Sequence, residues 1–469
     1  MEFHVSLAGH GDLSARIYRQ LHEAVIDGRL RSGEKLPPTR ELAGRLAVSR
    51  NTVALAYERL TAEGFLVGRV GAGTFVCANP PTSGAALVTG PGAVPPRPVW
   101  RDLATPPVLH TAPPFDFGVG VPDTGRFPMA AWRRQVARQL RDVAAADALY
   151  GDPAGHAGLR AEIARHLGLS RSVRVPAEQV LVTSGTQQAL DLVARVLLAP
   201  GDRVAVEEPG YPPARELFAS HGARLTGVPV DAEGLVVAAL PDDTRLVYAT
   251  PSHQFPLGPP MSLRRRTELL DWARRTGAVV IEDDYDSEFR FADRPLEPLH
   301  SLDRGDRVLY VGSFSKTMLP MLRLGFLVPP SSLLGALRSA KRLADLRSEV
   351  TTQGAMAGFM AEGLFVRHLR RSTREYAARR ALILAILRRD FADRLEVVPS
   401  TAGLHLAAWP SGEVDVAAMV ERAAAAGVGV ADLAEYHGFG AGRPGLALGY
   451  GRIEQDRIEE GLRLLGEVW

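Results

Sequence analysis

A proline-rich stretch near the start of the chain places the strongest limit on how it folds. Residues 78–114 contain ten of the 34 prolines, and eight of these ten form adjacent pairs. Because proline fixes φ and lacks a backbone donor, we predict an extended, semi-rigid linker, with an irregular packed loop as the alternative. The 469 residues are also too many for one ordinary core. The sequence therefore predicts two folding units, residues 1–77 and 115–469, joined by this linker.

The composition is that of a globular protein without a membrane anchor. Hydrophobic residues make up 46% of the chain and charged residues 23%, and no apolar run approaches a membrane span. A lone cysteine, Cys77, excludes an intramolecular disulfide framework and, with no signal peptide at the start, predicts a cytoplasmic protein. Residues 1–76 hold 10 Lys+Arg against 8 Asp+Glu, so the whole net charge of +2 falls on this segment.

The first unit shows the pattern of three short helices. Apolar residues recur at helical spacing over residues 13–26 and predict an amphipathic first helix. Thr39, which follows two prolines, is the predicted N-cap of a second helix that ends near residue 47. Ser49 is the predicted N-cap of a third helix from residue 50 to about residue 63.

A β-hairpin after the third helix completes the pattern of a winged helix-turn-helix. Residues 64–67 and 73–76 alternate like two strands around a glycine turn. Such a domain places the first turn of its third helix in the major groove, where arginine bridges guanine and asparagine bridges adenine. The preceding helix and the wing contact the DNA backbone or minor groove. The alternative is that these are ordinary surface positions. The candidate DNA-contacting residues are Arg40, Ser49, Arg50, Asn51, Thr52, Arg69, Gly71 and Gly73.

Two runs within this unit match a known DNA-binding domain. They are Gly33-Glu34-Lys35-Leu36-Pro37-Pro38-Thr39-Arg40-Glu41-Leu42-Ala43 and Val48-Ser49-Arg50-Asn51-Thr52-Val53. Over residues 12–76 the chain resembles the N-terminal domain of GntR-type regulators. The resemblance implies that operator DNA is a partner.

In the second unit apolar strands alternate with helical stretches. This pattern is typical of a mostly parallel sheet covered by helices, an α/β fold. The predicted strands are Val180–Thr183, Arg203–Val206, Arg245–Ala249, Ala278–Glu282 and Arg307–Val311.

Lysine is almost absent from the chain, with only Lys35, Lys316 and Lys341 among 55 basic residues. Lys316 lies just after a predicted strand, beside Ser313 and Ser315. Arginine stays protonated and cannot form an imine, so a lysine retained here suits a Schiff base with an aldehyde. We predict that the aldehyde is pyridoxal 5′-phosphate (PLP), with the two serines beside its phosphate. The alternative is a solvated loop lysine.

Further segments match the needs of the same cofactor. The strand end, glycine turn and helix start around Gly185, Thr186 and Gln187 favour a phosphate. Tyr211 follows another strand and can stack on a pyridine ring, although a tyrosine packed in a loop is an equal alternative. Arg323, seven residues past Lys316, is close enough in sequence to share the phosphate site.

A carboxylate cluster ends the strand that leads to residues 282–286. One carboxylate there can pair with the pyridine nitrogen and keep it protonated, which makes the ring an electron sink. A metal site is the competing interpretation, but no histidine or cysteine cluster lies nearby in the sequence. We therefore predict no metal.

Together these segments resemble the fold type I aminotransferases over roughly residues 115–469. Combined with the GntR-type domain, nearly the whole chain resembles the MocR/GabR family of transcriptional regulators. The resemblance implies a homodimer built on the aminotransferase-like domain. It also implies that Lys316 holds PLP covalently, Asp283 pairs with the pyridine nitrogen, Tyr285 contacts the ring hydroxyl and Tyr211 stacks. The implied phosphate residues are Gly185, Thr186, Gln187, Ser313, Ser315 and Arg323.

Two positions depart from the aminotransferase pattern. Phe255 stands where those enzymes have an asparagine that touches the ring hydroxyl. Ala447 stands where they have an arginine that clamps the substrate α-carboxylate, and neither Arg443 nor Arg452 has the matching position.

These departures favour a PLP-dependent transcriptional regulator whose aminotransferase-like domain is a sensor. The ligand sensed is PLP or an amino compound that reacts with it, and PLP would indicate control of vitamin B6 metabolism. Two alternatives stay open. One is an active aminotransferase with an accessory DNA-binding module, and the other is a PLP-storing interaction protein without a specific operator.

Overall fold

The computed structural model describes residues 12–69, 71–77, 94–103, 112–141, 151–291, 297–440 and 442–469. The chain divides into two compact units, residues 1–95 and 96–469. Most of the predicted linker lies outside the described residues. Its described part contains a short helix, α4 (Val99–Asp102), and the side chain of Arg97 donates to the backbone oxygen of Ser220 at 3.2 Å.

The first unit contains three helices and a hairpin among its described residues. Ile17, Leu21, Val53 and Leu60 are buried and join the helices into one core, each contributing about 1.5–3 kcal/mol by its burial. The hairpin pairs its strands antiparallel. The elements are α1 (Leu13–Ile26), α2 (Thr39–Leu46), α3 (Arg50–Ala62), β1 (Leu66–Arg69) and β2 (Gly73–Val76).

The two predicted helix caps have different outcomes. The hydroxyl oxygen of Ser49 accepts a hydrogen bond from the backbone N–H of Thr52 at 3.1 Å, so this N-cap is confirmed. The prediction for Thr39 is wrong, because Thr39 is already the first helical residue. Pro38 precedes it, has no side-chain acceptor to offer, and its backbone oxygen receives the N–H of Leu42 at 3.0 Å.

The second unit is built on an eight-stranded sheet. Its order is β4-β11-β10-β9-β8-β5-β6-β7, with parallel pairing from β10 through β6 and antiparallel pairing of β11 with both of its neighbours and of β7 with β6. The predicted strands are present with ends shifted by one or two residues. The strands are β4 (Leu181–Thr183), β5 (Arg203–Glu208), β6 (Arg224–Asp231), β7 (Gly234–Leu235), β8 (Thr244–Ala249), β9 (Val279–Asp284), β10 (Val308–Ser313) and β11 (Gly325–Val328).

A smaller lobe follows in the chain. It has an antiparallel sheet ordered β12-β13-β16-β15, and β14 pairs in parallel with β3 from the start of the unit. Its core and the cores on the two faces of the large sheet consist of aliphatic and aromatic side chains. The strands are β3 (Phe115–Asp116), β12 (Leu395–Val397), β13 (His405–Pro410), β14 (Val428–Gly429), β15 (Ala431–Asp432) and β16 (Leu446–Gly449).

Helices cover the large sheet and pack on the lobe. They are α4 (Val99–Asp102), α5 (Met129–Arg141), α6 (Ala157–Ser170), α7 (Thr186–Leu197), α8 (Pro212–Ser220), α9 (Leu263–Thr276), α10 (Leu299–Leu302), α11 (Ser331–Asp345), α12 (Thr351–Ala361), α13 (Leu364–Asp390), α14 (Val416–Ala425) and α15 (Ile458–Glu467). Within the described ranges, no helix is both long and apolar enough to cross a membrane. In an open parallel sheet, ligands bind at the carboxyl ends of the strands, where β9 and β10 bring Asp283 and Lys316.

Candidate functional site

A cavity of about 200 Å³ lies at this edge of the large sheet. Nearly all the predicted cofactor residues line it, although they come from five separate segments of the chain. Gly185 adjoins the cavity through Thr186. Four lining residues were not predicted to contact the cofactor: Tyr248, Thr250, Phe255 and Pro320. The predicted residues that line it are Thr186, Gln187, Tyr211, Asp283, Tyr285, Ser313, Ser315, Lys316 and Arg323.

Lys316 is held with its amine inside the cavity. Its Nζ donates to the backbone oxygen of Gly120 at 2.5 Å. Burial lowers the pKa of the Lys316 amine, while the charges of Asp286 and Asp283 oppose this shift. A lowered pKa increases the share of neutral amine, which is the nucleophilic form.

Asp283 offers the cavity a carboxylate with one unused oxygen. Its Oδ2 accepts from the hydroxyl of Tyr248 at 2.7 Å, while Oδ1 is buried without a hydrogen-bond partner among the described residues. Burial raises the pKa of Asp283 to about 7, against the opposing effects of Tyr248 and Lys316. A buried acceptor without a donor is costly, so this oxygen suits a ligand that brings a protonated ring nitrogen.

The part of the cavity beside the start of α7 is suited to a phosphate. Gly185 has φ +83°, a conformation that glycine adopts without strain, and it turns the chain so that α7 begins at the cavity. The first backbone N–H groups of α7 are therefore available to an anion. Arg323 reaches the same turn, where its guanidinium donates to the backbone oxygen of Ser184 at 2.8 Å. Ser313 and Ser315 line the same cavity as Arg323.

Lys341 stabilises the turn at Ser184 through a chain of hydrogen bonds, a role that the sequence did not predict. Its side chain is fully buried and pairs with Asp345 at 2.8 Å. The amide of Gln188 donates to Asp345 at 2.8 Å, and its oxygen accepts from the backbone N–H of Ser184 at 2.9 Å. The scarcity of lysine in the chain could have drawn attention to Lys341. Its link to the Ser184 turn could not be inferred, because α11 lies far from that turn in the sequence.

Aromatic rings form one wall of the cavity. Phe255 packs edge-on against Tyr211, Tyr285 and Tyr436, with ring centroids 5.6, 5.9 and 5.2 Å away. The turn that carries Phe255 is anchored by Glu207, whose carboxylate accepts from the backbone N–H of Thr250 at 3.1 Å. Burial raises the pKa of Glu207 to about 7, and its hydrogen bonds with Thr250 and Gln254 oppose the rise.

A histidine pair lies next to the carboxylate cluster, contrary to the sequence-based expectation that no such cluster is near. His253 and His405 are buried together with Asp286, and each residue offers one possible ligand atom within 4.8 Å of the others. The sequence did not reveal this because the three residues come from the turn after β8, the end of β9 and the start of β13.

The position of the missing carboxylate clamp is filled with apolar groups. Ala447 is fully buried and packs with Leu257 and Leu433. Arg443 stacks on the Trp409 ring at 4.1 Å, and Arg452 pairs with Asp116 at 2.8 Å. Among the described residues, the cations that line the cavity are thus Lys316 and Arg323, both expected to contact the cofactor.

Larger surface grooves exist in this unit but lack the predicted residues. One groove of about 900 Å³ is lined by Arg126, Arg371 and His368 among others, and it contains none of the cofactor candidates. The smaller cavity is therefore the chemically relevant one, because it joins the lysine, the carboxylate and the anion site.

In the first unit the candidate DNA contacts are on the surface. Arg50 and Asn51 are exposed on the first turn of α3, and Arg40 is exposed on the first turn of α2. The hydroxyls of Ser49 and Thr52 lie 2.7 Å apart and bond to each other. The structure thus brings these predicted residues to the starts of two adjacent helices.

The wing carries a second group of the predicted residues. Gly71 lies in its turn, Gly73 begins β2, and the guanidinium of Arg69 stacks over the Phe75 ring at 4.8 Å. Lys35, which was not predicted to contact DNA, places its amine 5.8 Å from the centroid of the same ring. Two cations therefore lie next to the Phe75 ring of the wing.

Comparison with known proteins agrees with this architecture. Residues 13–76 match the family of bacterial regulatory proteins of the gntR type, and residues 112–438 match aminotransferase class I and II. The chain is 37% identical to a probable rhizopine catabolism regulatory protein, MocR, from Rhizobium meliloti, over 96% of this chain and 92% of that protein. The chain belongs to the MocR-type transcriptional regulators.

Other MocR-type relatives and solved structures show the same two components. The HTH-type pyridoxine biosynthesis transcriptional regulator PdxR from Corynebacterium glutamicum is 33% identical, over 95% of this chain and 93% of that protein. The α-aminoadipate aminotransferase LysN from Thermus thermophilus, solved with N-(5′-phosphopyridoxyl)-L-leucine, has 32% identity and a TM-score of 0.69, covering 76% of this chain and 91% of its own. The MocR-type chain is therefore a DNA-binding regulator with a domain from a PLP-binding family.

Proposed function

We propose that this MocR-type regulator binds PLP in the cavity at Lys316 and that PLP is the ligand it senses. The observation that carries the proposal is the set of cations around the cavity. Lys316 and Arg323 both have a partner on PLP itself, the aldehyde and the phosphate. An α-amino acid would add a carboxylate, and the residue expected to receive it, Ala447, is buried against Leu257.

Each of the chain's own residues has a separate task in this proposal. Lys316 would hold the aldehyde carbon of PLP covalently, and the lowered pKa of its amine increases the share of the neutral form that this needs. The unpartnered oxygen of Asp283 would accept a hydrogen bond from the protonated ring nitrogen and keep that nitrogen protonated. Gly185 and Arg323 hold the phosphate, and Tyr211 stacks on the ring. PLP, when bound, supplies an electron sink, but sensing requires binding alone.

Two relatives' names bear on the regulated pathway. PdxR is named for pyridoxine biosynthesis and MocR for rhizopine catabolism. Pyridoxine biosynthesis is the favoured pathway, because Ala447 stands where an arginine would bind the carboxylate of an amino acid. We therefore propose that the chain controls vitamin B6 genes as a homodimer that binds paired operator half-sites. PLP acts by stabilising one arrangement of the dimer over another.

The test is a titration of the apo-protein with PLP while binding to DNA is followed. The first probe is the DNA upstream of the chain's own gene, and fragments selected from genomic DNA serve as further probes. PLP should change the affinity or the footprint. Amino acids and γ-aminobutyrate, added to the PLP-loaded protein, should leave both unchanged. If an amino acid changes the DNA complex and PLP does not, the proposed ligand is wrong.

An active aminotransferase is the second candidate, because Lys316, Asp283 and Tyr285 all line the cavity as that chemistry requires. Single-turnover transfer of an amino group from a panel of amino acids distinguishes the two functions. A sensor of PLP should show no turnover with keto-acid acceptors.

A further inference from the structure

Asp286, His253 and Tyr285 form a row that ends at the cavity. The Nδ1 atom of His253 lies 3.0 and 3.1 Å from the two carboxylate oxygens of Asp286 and 2.9 Å from the hydroxyl oxygen of Tyr285. The side chains of His253 and Asp286 are only 1% and 2% exposed. Tyr285 lines the cavity, so the row connects a buried carboxylate to the ligand space.

The surroundings of His253 determine which of its nitrogens carries hydrogen. A bare lone pair on Nδ1 would face two carboxylate oxygens, so Nδ1 carries a hydrogen and donates it. The Nε2 atom is buried without a partner among the described residues, and a second hydrogen there would find no acceptor. The neutral form with hydrogen on Nδ1 satisfies both conditions.

Backbone packing holds this pair in place. Gly403 lies directly against it, and a Cβ atom there would be 2.4 Å from Nδ1 of His253 and 2.7 Å from Oδ2 of Asp286. Only glycine allows this close approach. The imidazole therefore cannot move away from the carboxylate on that side.

The hydrogen on Nδ1 fixes the role of Tyr285. Because this nitrogen already carries its hydrogen, the hydroxyl oxygen of Tyr285 is an acceptor toward His253. Burial and the nearby charges of Asp286 and Asp283 raise the pKa of Tyr285 well above its ordinary value, so the phenol keeps its own hydrogen. Among the described residues that hydroxyl has no second hydrogen-bond partner, which leaves its hydrogen for an acceptor in the cavity.

We propose that the Asp286–His253 pair orients the Tyr285 hydroxyl as a hydrogen-bond donor into the cavity, which makes the site selective for a ring with an acceptor oxygen. The inference rests on the proposed binding of PLP, whose ring oxygen is such an acceptor. Phe255 has no polar atom to offer that oxygen, and we assign the donor role to Tyr285, which lines the cavity. His253 and Asp286 are positioning residues, since neither lines the cavity.

The test compares two ligands on the full-length apo-protein, PLP and its 3-deoxy analogue, which lacks the ring oxygen. Equilibrium dialysis gives the ratio of their affinities. The wild-type protein should prefer PLP by about tenfold, the value of one hydrogen bond to a charged group. Tyr285→Phe should bring the ratio close to one, and His253→Phe should lower it by a similar factor.

Two further variants make the outcome interpretable. The double variant His253→Phe with Asp286→Leu removes the buried charge that the single variant leaves unpaired, and it should have the same low ratio. Tyr248→Phe is the matched control. Tyr248 bonds to Asp283 and not to the His253 pair, so its loss should weaken the binding of both ligands by the same factor.

A wild-type ratio in either His253 variant, or in Tyr285→Phe, would overturn the inference. Failure of the wild-type protein to bind either ligand would instead overturn the proposed function.

Discussion

Arg50 in the first unit and Lys316 in the second are both cations at the end of a secondary-structure element, but their surroundings are opposite. Arg50 is exposed on the first turn of α3, with no ion pair among the described residues. Lys316 is enclosed, bonded to Gly120, and has a lowered pKa. The side chain proposed to read DNA is thus exposed to solvent, whereas the side chain proposed to hold the cofactor is fixed in place and has its pKa lowered by burial. We expect variants of the two units to fail in different ways.

Lys316→Ala gives the largest expected effect in this comparison, complete loss of covalently retained cofactor. Only three lysines are present in the chain, so borohydride reduction of the PLP-treated protein followed by peptide mapping identifies the attachment site. The wild-type label should be on one peptide, that of Lys316. A label on Lys35 or Lys341, or a comparable yield from the variant, would show that the site is assigned wrongly.

Arg50→Ala should weaken binding to a specific operator by about 1–3 kcal/mol, because a bidentate contact to a base is lost. Binding to unrelated DNA should change much less, and PLP binding should not change at all. The measurement is a gel-shift or anisotropy titration with specific and random duplexes. An equal loss on both duplexes would place Arg50 on the phosphate backbone instead.

The stability of the second unit should depend on pH through its buried carboxyls. Burial raises the pKa of Asp283 and of Glu207 to about 7 each, above the ordinary values near 4. Between those values the folded state holds more protons than the unfolded state, so stability falls as pH rises from about 4 to 7. The loss should be on the order of 3–4 kcal/mol per group, at about 1.36 kcal/mol for each unit of pKa shift.

All five tryptophans lie after residue 95, so urea unfolding followed by tryptophan fluorescence reports on the second unit alone. Glu207→Gln should flatten the dependence on pH. In the first unit the pKa of Glu63 is instead lowered by hydrogen bonds from Tyr18 and Arg59, so its contribution is lost as pH falls. An unchanged pH dependence in Glu207→Gln would contradict the role given to burial.

Arg40→Ala should give the smallest effect, a uniform weakening on all DNA sequences. A lost phosphate contact lowers the magnitude of the slope of log affinity against log salt by about 1. Titrations at several salt concentrations measure this slope. A loss that is confined to one sequence would instead indicate that Arg40 reads a base.

The sequence alone was sufficient for features that depend on neighbours along the chain. Helical periodicity located α1, Ser49 was recognisable as a cap before α3, and strand ends pointed to Lys316 and to the turn at Gly185. These signals are local because capping, periodicity and strand-end chemistry act over a few residues. Thr39 shows the limit of such rules, since it is the first helical residue and Pro38 occupies the cap position before it.

Tertiary structure alone decided which distant side chains meet. The sequence contains His253, Asp286 and His405 as isolated residues of three segments, and only the packing of the small lobe against the large sheet joins them. The support of the Ser184 turn by Lys341 likewise depends on how α11 packs beside α7. Burial also determined the pKa values of Lys316, Asp283 and Glu207, because desolvation depends on the whole surrounding fold and not on sequence neighbours.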